Sequence, residues 1–227
     1  MSLLDQSLAN IATSIGGATA IFNQYKLDFC CGGQYTLREA LAERRLPEQK
    51  LLIALSELQQ RPTAHIDWRD APTTELIDYI VSHFHQRHRL QLPELVRLAR
   101  RVEQVHGDDP DCPIGLADHL QDMYQEMESH MMKEEQILFP MLAEGIYPYG
   151  PISQMEEEHL QHGDALAEID QLSNNLTLPK GACNTWTALY VGLKELKEDL
   201  MVHILLENQI LFVKPAKGNS NCCGSCQ

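Results

Sequence analysis

Two stretches of this chain, "EMESHMMKEEQILFPM" and "EDLMVHILLENQIL", each place a histidine four residues before a glutamate: His130 with Glu134, and His203 with Glu207. At about 100° per helical residue, Glu134 lies about 40° from His130, and Leu116, Met123, Met127, Ile137 and Met141 all fall within about 60° of it. The second pair shares a face with Leu196, Leu200 and Ile210. A carboxylate in the middle of an apolar stripe is strongly disfavoured unless a cation or hydrogen-bond donors compensate it. Lys and Arg mostly fall off these stripes, so an internal ion pair is a poor explanation. His159 adds a third histidine, on a stripe with Ile152, Met155 and Leu166.

A fourth comes from "SHFHQRHR". With Ile77, Phe84 and Leu95 defining the face, His88 falls near its centre, His85 about 80° from Ile77, and His83 points away. The pattern alone picks His88, but Pro93 is expected to bend or break this helix, so the averaged face does not settle His88 against His85. Imidazoles and carboxylates without thiolate suit iron or manganese better than structural zinc. Four histidines and two glutamates exceed what one catalytic ion with open positions takes. They suit two ions about 3–4 Å apart, bridged by carboxylates. Glu126, four before His130, and Asp199, four before His203, are placed to accept the outer ring N–H of those histidines.

The elements that must position these residues read as helices. Thr73/Thr74 after Pro72 start a pattern over 73–106 that ends near Gly107. Three more run over 114–143, 152–173 and 180–213. Four long helices with connections of several residues imply an up-down bundle. Shorter helical pieces, "SLANIATSI", "ATAIFNQYKL", "TLREALAERR" and "EQKLLIALSELQQ", precede it. The expected fold class is all-α: a small helical domain over 1–64, a linker over 65–72, the four-helix bundle over 73–214, and a flexible tail over 215–227.

With 227 residues the chain can bury a substantial core. Its net charge of −14, from 18 Lys+Arg against 32 Asp+Glu, argues against nucleic acid as a partner. No apolar run is long enough to span a membrane, and the start lacks a basic leader region, so a cytoplasmic location is expected. A homodimer is allowed but not specified.

The odd count of seven cysteines, five of them in two short stretches, argues against a disulfide framework. Cys30 and Cys31 in "DFCCGG" read as an exposed redox or transfer thiol pair on the accessory domain, with packing of small side chains as the alternative. Cys222, Cys223 and Cys226 in the tail include a C-x2-C spacing suited to soft metals or disulfide cycling.

"DFCCGG", "FHQRHR", "SHMMKEEQILFPM", "MEEEHL" and "HILLENQILF", in that order over about residues 1–213, make the chain resemble the iron–sulfur cluster repair di-iron (RIC) proteins. The resemblance implies a hemerythrin-like bundle holding two non-haem iron ions. It implies His85, His130, His159 and His203 as iron ligands and Glu134 and Glu207 as bridges, leaving His88 as an outer neighbour. Ordinary hemerythrins carry two histidines four apart on the third helix; here Gly163 stands at that spacing and His162 lies three away. One histidine fewer implies more open coordination. The implied function is repair of clusters damaged by nitric oxide or oxidants, by iron donation, by nitric oxide binding and reduction, or both. Damaged iron–sulfur proteins are the implied partners. The alternative is an oxygen or nitric oxide sensor, or an iron store, without turnover.

Overall fold

The computed structural model describes residues 2–60 and 67–213. The Cys222, Cys223 and Cys226 tail, and part of the expected linker, lie outside the described residues. Within them the chain is all-α. The sole extended pairing there is an isolated antiparallel bridge between Ser7 and Thr36.

Four short helices come first: α1 (Leu8–Ser14), α2 (Ala18–Gln24), α3 (Leu37–Arg44) and α4 (Glu48–Gln60). Ser7 caps α1 through its hydroxyl, and Thr36 with Glu39 forms a reciprocal capping box on α3. Four long rods follow. The first joins α5 (Thr73–Ile80) to α6 (Gln86–His106) through a π-helical turn at Val81–His85. The second joins α7 (Leu116–Lys133) to α8 (Phe139–Ala143) through a π turn at Glu134–Leu138. The third is α9 (Tyr149–Leu172), and the fourth is α10 (Asn184–Leu206), which continues into a π turn at Glu207–Leu211.

The π turns correct the sequence reading. Each accommodates one extra residue, so the buried stripe slips by one position beyond it. Ile137, expected inside, is 55% exposed, whereas Leu138 and Leu142 are buried. Ile210 is half-buried and Leu211 takes the inner place. In the first rod Leu76 and Ile80 are buried rather than Ile77, and both His85 and His88 end up inside. Pro93, expected to bend or break this rod, sits within α6, which continues to His106. The disturbance there lies upstream, in the π turn.

The core divides into two apolar clusters. One holds Leu76, Ile80, Phe84, Leu138, Phe139, Met155, Leu211 and Phe212 at one end of the bundle. The other holds Leu92, Leu120, Met127, Leu166, Leu189 and Leu200, together with Ile11, Phe22, Phe29, Leu37 and Leu51 from the first helices. The accessory helices therefore share the bundle's core, with α1 and α2 packed on α10. A fully buried Leu or Phe stabilises by roughly 1.5–3 kcal/mol, so this shared cluster ties the two parts firmly.

Gly33 fixes how the "CCGG" loop meets α1. Its carbonyl accepts from Ala9 N–H at 2.9 Å, and a Cβ there would lie 2.4 Å from the Phe29 carbonyl oxygen and 2.8 Å from the Ala9 Cβ. Gly33→Ala is expected to destabilise by roughly 1–3 kcal/mol through overpacking. Gly150→Ala, in α9 with open space around it, should be neutral or stabilising by up to about 1 kcal/mol. Denaturant midpoints for the two variants check this; equal midpoints would contradict it.

At the far end of the bundle Cys183 stands at the N-cap of α10, its Sγ 3.2 Å from His106 Nε2. The backbone N–H groups of Trp186 and Thr185 and the His106 ring bring its thiol down to about 7. A hydrogen bond to Cys31, together with burial, pushes Cys30 far upward instead. Alkylation by iodoacetamide, mapped by mass spectrometry, should therefore rise at Cys183 as pH climbs through about 7. Cys30 should stay inert over that range; parallel labelling of the two would refute this assignment.

Candidate metal centre

The five side chains singled out by spacing and His85, which the family resemblance implied, converge between the two apolar clusters. His85, His130, His159, His203, Glu134 and Glu207 are all buried, with both glutamates at 0% exposure. They form two groups that share the carboxylates: His85 and His203 with Glu134 and Glu207, and His130 and His159 with the same pair.

Each carboxylate reaches both groups. Glu134 Oε2 lies 3.4 Å from His85 Nε2 and its Oε1 3.3 Å from His130 Nε2. Glu207 Oε1 lies 3.0 Å from His203 Nε2 and its Oε2 3.1 Å from His159 Nε2. The π turns begin at Glu134 and Glu207 and end at His85, so each sets the direction of a residue of this cluster.

Partners on neighbouring helices hold three of the rings from outside. His85 Nδ1 donates to Glu135 at 2.7 Å, His130 Nδ1 to Glu158 at 2.8 Å, and His159 Nδ1 to Asn208 at 2.8 Å. Arg89 braces Glu135 and Glu128, while Lys133 and Gln154 brace Glu158. Hydrogen bonds from His85 and Arg89 draw Glu135 down to about 2. Burial opposes ionisation of Glu158, yet Lys133 and His130 still bring it to about 2.

These outer bonds correct two expectations. Glu126 is exposed and does not serve His130; Glu158 does. Asp199 accepts from Arg87 and Gln91, and His203 Nδ1 has no hydrogen-bond partner. A residue four earlier on the same helix points along that helix, whereas Nδ1 points sideways, where only a neighbouring helix can reach it. Glu135, Glu158 and Asn208 were missed, although each is adjacent in sequence to a cluster residue: "KEEQ", "EEEH" and "LENQ".

The outer carboxylates keep the proton on Nδ1, which leaves the Nε2 lone pairs facing inward. There His85 Nε2 meets His203 Nε2 at 3.1 Å, and His130 Nε2 meets His159 Nε2 at 3.1 Å. All four oxygens of Glu134 and Glu207 lack hydrogen-bond partners. Facing lone pairs and bare carboxylates in a dry core are a donor set for cations. Protons fill part of that role: burial depresses His85 and His130, yet the surrounding glutamates carry each up to about 9. Burial opposes ionisation of Glu207, but the histidines around it hold it well below the usual range.

His88 and His162 are buried beside these rings, one near each group. Burial pushes His88 well down and His162 to about 2. The thiol pair is less exposed than its sequence suggests. Cys30 is 4% exposed within the core cluster that includes Phe29. The Asp28 carboxylate gathers the loop by accepting from the backbone N–H of Cys30, Cys31 and Gly32. Cys31, half-buried, sets its Sγ 3.5 Å from the His159 carbonyl and 3.3 Å from where a Gly163 Cβ would stand.

Residues 76–214 match the model of the hemerythrin HHE cation-binding domain, and residues 4–59 match a domain of unknown function (DUF542). The chain is 52% identical over 214 residues to the iron–sulfur cluster repair protein YtfE of Edwardsiella ictaluri, covering 93% of this chain and 97% of that protein. It is 48% identical over 220 residues to its counterpart in Dickeya chrysanthemi, covering 96% of this chain and 100% of that protein. Identity to the Yersinia pseudotuberculosis protein of the same name is 49% over 220 residues, with the same coverage. The similarity runs along nearly the whole chain and includes the hemerythrin-like cation-binding domain, and the chain belongs to the family of iron–sulfur cluster repair proteins.

Proposed function

We propose that this chain repairs iron–sulfur clusters damaged by nitrosative or oxidative stress, and that a pair of non-haem iron ions held in the bundle does the work. The observation that carries this reading is the sharing of Glu134 and Glu207 between two histidine pairs. His85 and His203 would hold one ion, His130 and His159 the other, and each glutamate would bridge them. When bound, the ion pair supplies electrons and open coordination positions for nitric oxide or oxygen.

The chain's own residues set the terms. Glu135, Glu158 and Asn208 fix the imidazole tautomers, so the inward nitrogens are ready as ligands. Two carboxylates keep the net charge of the loaded site low, which makes surrender of an ion less unfavourable than from a more anionic cage. The flanking apolar clusters restrict water around a reactive ligand. Of the two vicinal thiols, half-buried Cys31, whose Sγ lies 3.5 Å from the His159 carbonyl, would be the one to exchange electrons or groups with a partner, with buried Cys30 beside it at 3.7 Å. Damaged iron–sulfur proteins are the clients, and iron passed to them is cargo.

Iron quantitation on anaerobically purified protein, followed by nitric oxide addition to the reduced form, tests the reading. Two irons per chain are expected, with about one nitrous oxide per reduced iron pair from its two electrons and several turnovers once an external reductant is supplied. Zinc alone, or no metal, would sink it, and a stable nitrosyl adduct without product would favour the sensor or store. Glu134→Ala and Glu207→Ala should each abolish the spectrum of a coupled pair by removing a bridge; retention of both irons in either would refute the bridging role.

A further inference from the structure

The thiol loop and the C-terminal tail hold five of the chain's seven cysteines: Cys30 and Cys31 in one, Cys222, Cys223 and Cys226 in the other. Both segments meet the bundle at the same residue. Cys31 Sγ lies 3.5 Å from the His159 carbonyl. On the ring side, Asn208 accepts from His159 Nδ1 at 2.8 Å, and the Phe212 ring stacks on the imidazole at 5.9 Å. The described chain ends one residue later, at Val213, which is 54% exposed. The tail therefore departs beside the helix on which the thiol loop sits. At about 3.3 Å of extended chain per residue, the stretch from Val213 to Cys223 spans up to about 33 Å. That is far more than the breadth of the one residue both segments touch.

An oxidised adduct on Cys31 is cleared only by a second thiol. Cys30 is badly placed to be that thiol, although the two sulfurs are 3.7 Å apart. Neighbouring Cα atoms lie about 3.8 Å apart, short of the roughly 4.4–6.8 Å that a disulfide takes. Cys30 is also 4% exposed, with its S–H donated to Asp28 Oδ1 at 3.4 Å. Cys183 caps the opposite end of α10 from His203, and Cys112 faces the Val102 carbonyl towards the end of α6. The tail supplies what these four cannot. Cys223 and Cys226 stand in the C-x2-C spacing of dithiol redox motifs, whereas Cys222 and Cys223 share the short Cα spacing of the loop pair.

We propose that the Cys223/Cys226 dithiol reduces Cys31 by exchange within the chain. The oxidant is a low-molecular-weight disulfide, RSSR. The Cys31 thiolate attacks one of its sulfurs, forming Cys31–S–S–R and releasing RS⁻. The Cys223 thiolate attacks the Cys31 sulfur, forming a Cys31–Cys223 disulfide and releasing the second RS⁻. The Cys226 thiolate then attacks the Cys223 sulfur and frees the Cys31 thiolate. Two electrons and two protons leave the tail dithiol, RSSR becomes two RSH, and an external dithiol reductant reopens the tail. This rests on the reading of Cys31 as the exchanging thiol.

The test treats the reduced full chain with equimolar oxidised glutathione, quenches it with acid, and maps tryptic peptides by mass spectrometry. The loop falls in peptide 27–38 and the tail in peptide 218–227. With the tail intact, 27–38 should end reduced and 218–227 internally oxidised. Cys222→Ser with Cys226→Ser removes the exit thiols, so a disulfide joining the two peptides should accumulate, at a rate unchanged by dilution of the chain. With all three tail cysteines changed to serine, a glutathione adduct should persist on 27–38 for about tenfold longer or more, as an intramolecular thiol is lost.

Cys31→Ser should abolish both adduct and cross-link; survival of either would move the chemistry to Cys30 and overturn the assignment. A loop adduct cleared equally fast without the tail, or a cross-link that slows in proportion to dilution, would overturn the relay while leaving Cys31 an exchanging thiol. No adduct on 27–38 in any variant would overturn that parent reading as well.

Discussion

Everything in this bundle is arranged around two carboxylates, Glu134 and Glu207, held at 0% exposure in the middle of an apolar core. Left bare, each would be prohibitive. The structure surrounds them with four imidazole nitrogens at 3.0–3.4 Å and fixes three of those rings from outside with Glu135, Glu158 and Asn208. Glu135 is tied in turn to Arg89, and Glu158 to Lys133 and Gln154, near the surface. Along the Glu135 and Glu158 branches charge alternates outward from the centre: buried carboxylate, imidazole, carboxylate, cation. That order explains why the interior tolerates so many polar groups without a single buried lysine or arginine among the described residues.

The same constraint shapes the backbone. A regular helix repeats every 3.6 residues, so a histidine and a glutamate four apart drift by about 40°. The π turns at Val81–His85, Glu134–Leu138 and Glu207–Leu211 absorb an extra residue where the cluster side chains sit. Such turns cost helix regularity and persist where function over-determines them. α9 contributes His159 without one.

This is also what limited the sequence reading. The long rods, the inward histidines and glutamates, and the all-α class were legible, because periodicity and the scarcity of internal cations both pointed one way. A wheel of fixed step cannot register an inserted residue. Ile137, Ile210 and Ile77 were therefore expected where Leu138, Leu211 and Leu76 are found, and His85 could not be separated from His88. Pro93 was the visible irregularity and drew the blame, while the actual one carries no proline. Glu126 and Asp199 failed for a different reason: a pattern read along one helix says nothing about which neighbour faces it across the bundle. Residues such as Glu158 are tertiary facts, though their adjacency to the cluster residues in sequence was a usable hint.

Gly163 shows how one position can tie the two parts of the chain together. Read along α9 alone, it marks a histidine that this bundle lacks. In the structure it is where the accessory loop arrives: a side chain there would crowd Cys31 Sγ, which instead rests against the His159 carbonyl. Its neighbour Cys30 is locked into the core by Phe29 on one side and by Asp28 gathering the loop on the other. The missing histidine and the vicinal cysteines are thus one feature seen from two segments. The thiol loop is seated on the backbone of a cluster histidine, so the accessory helices and the buried site meet at His159 and Gly163. Packing through the shared core thus holds the accessory helices against the helix that carries His159.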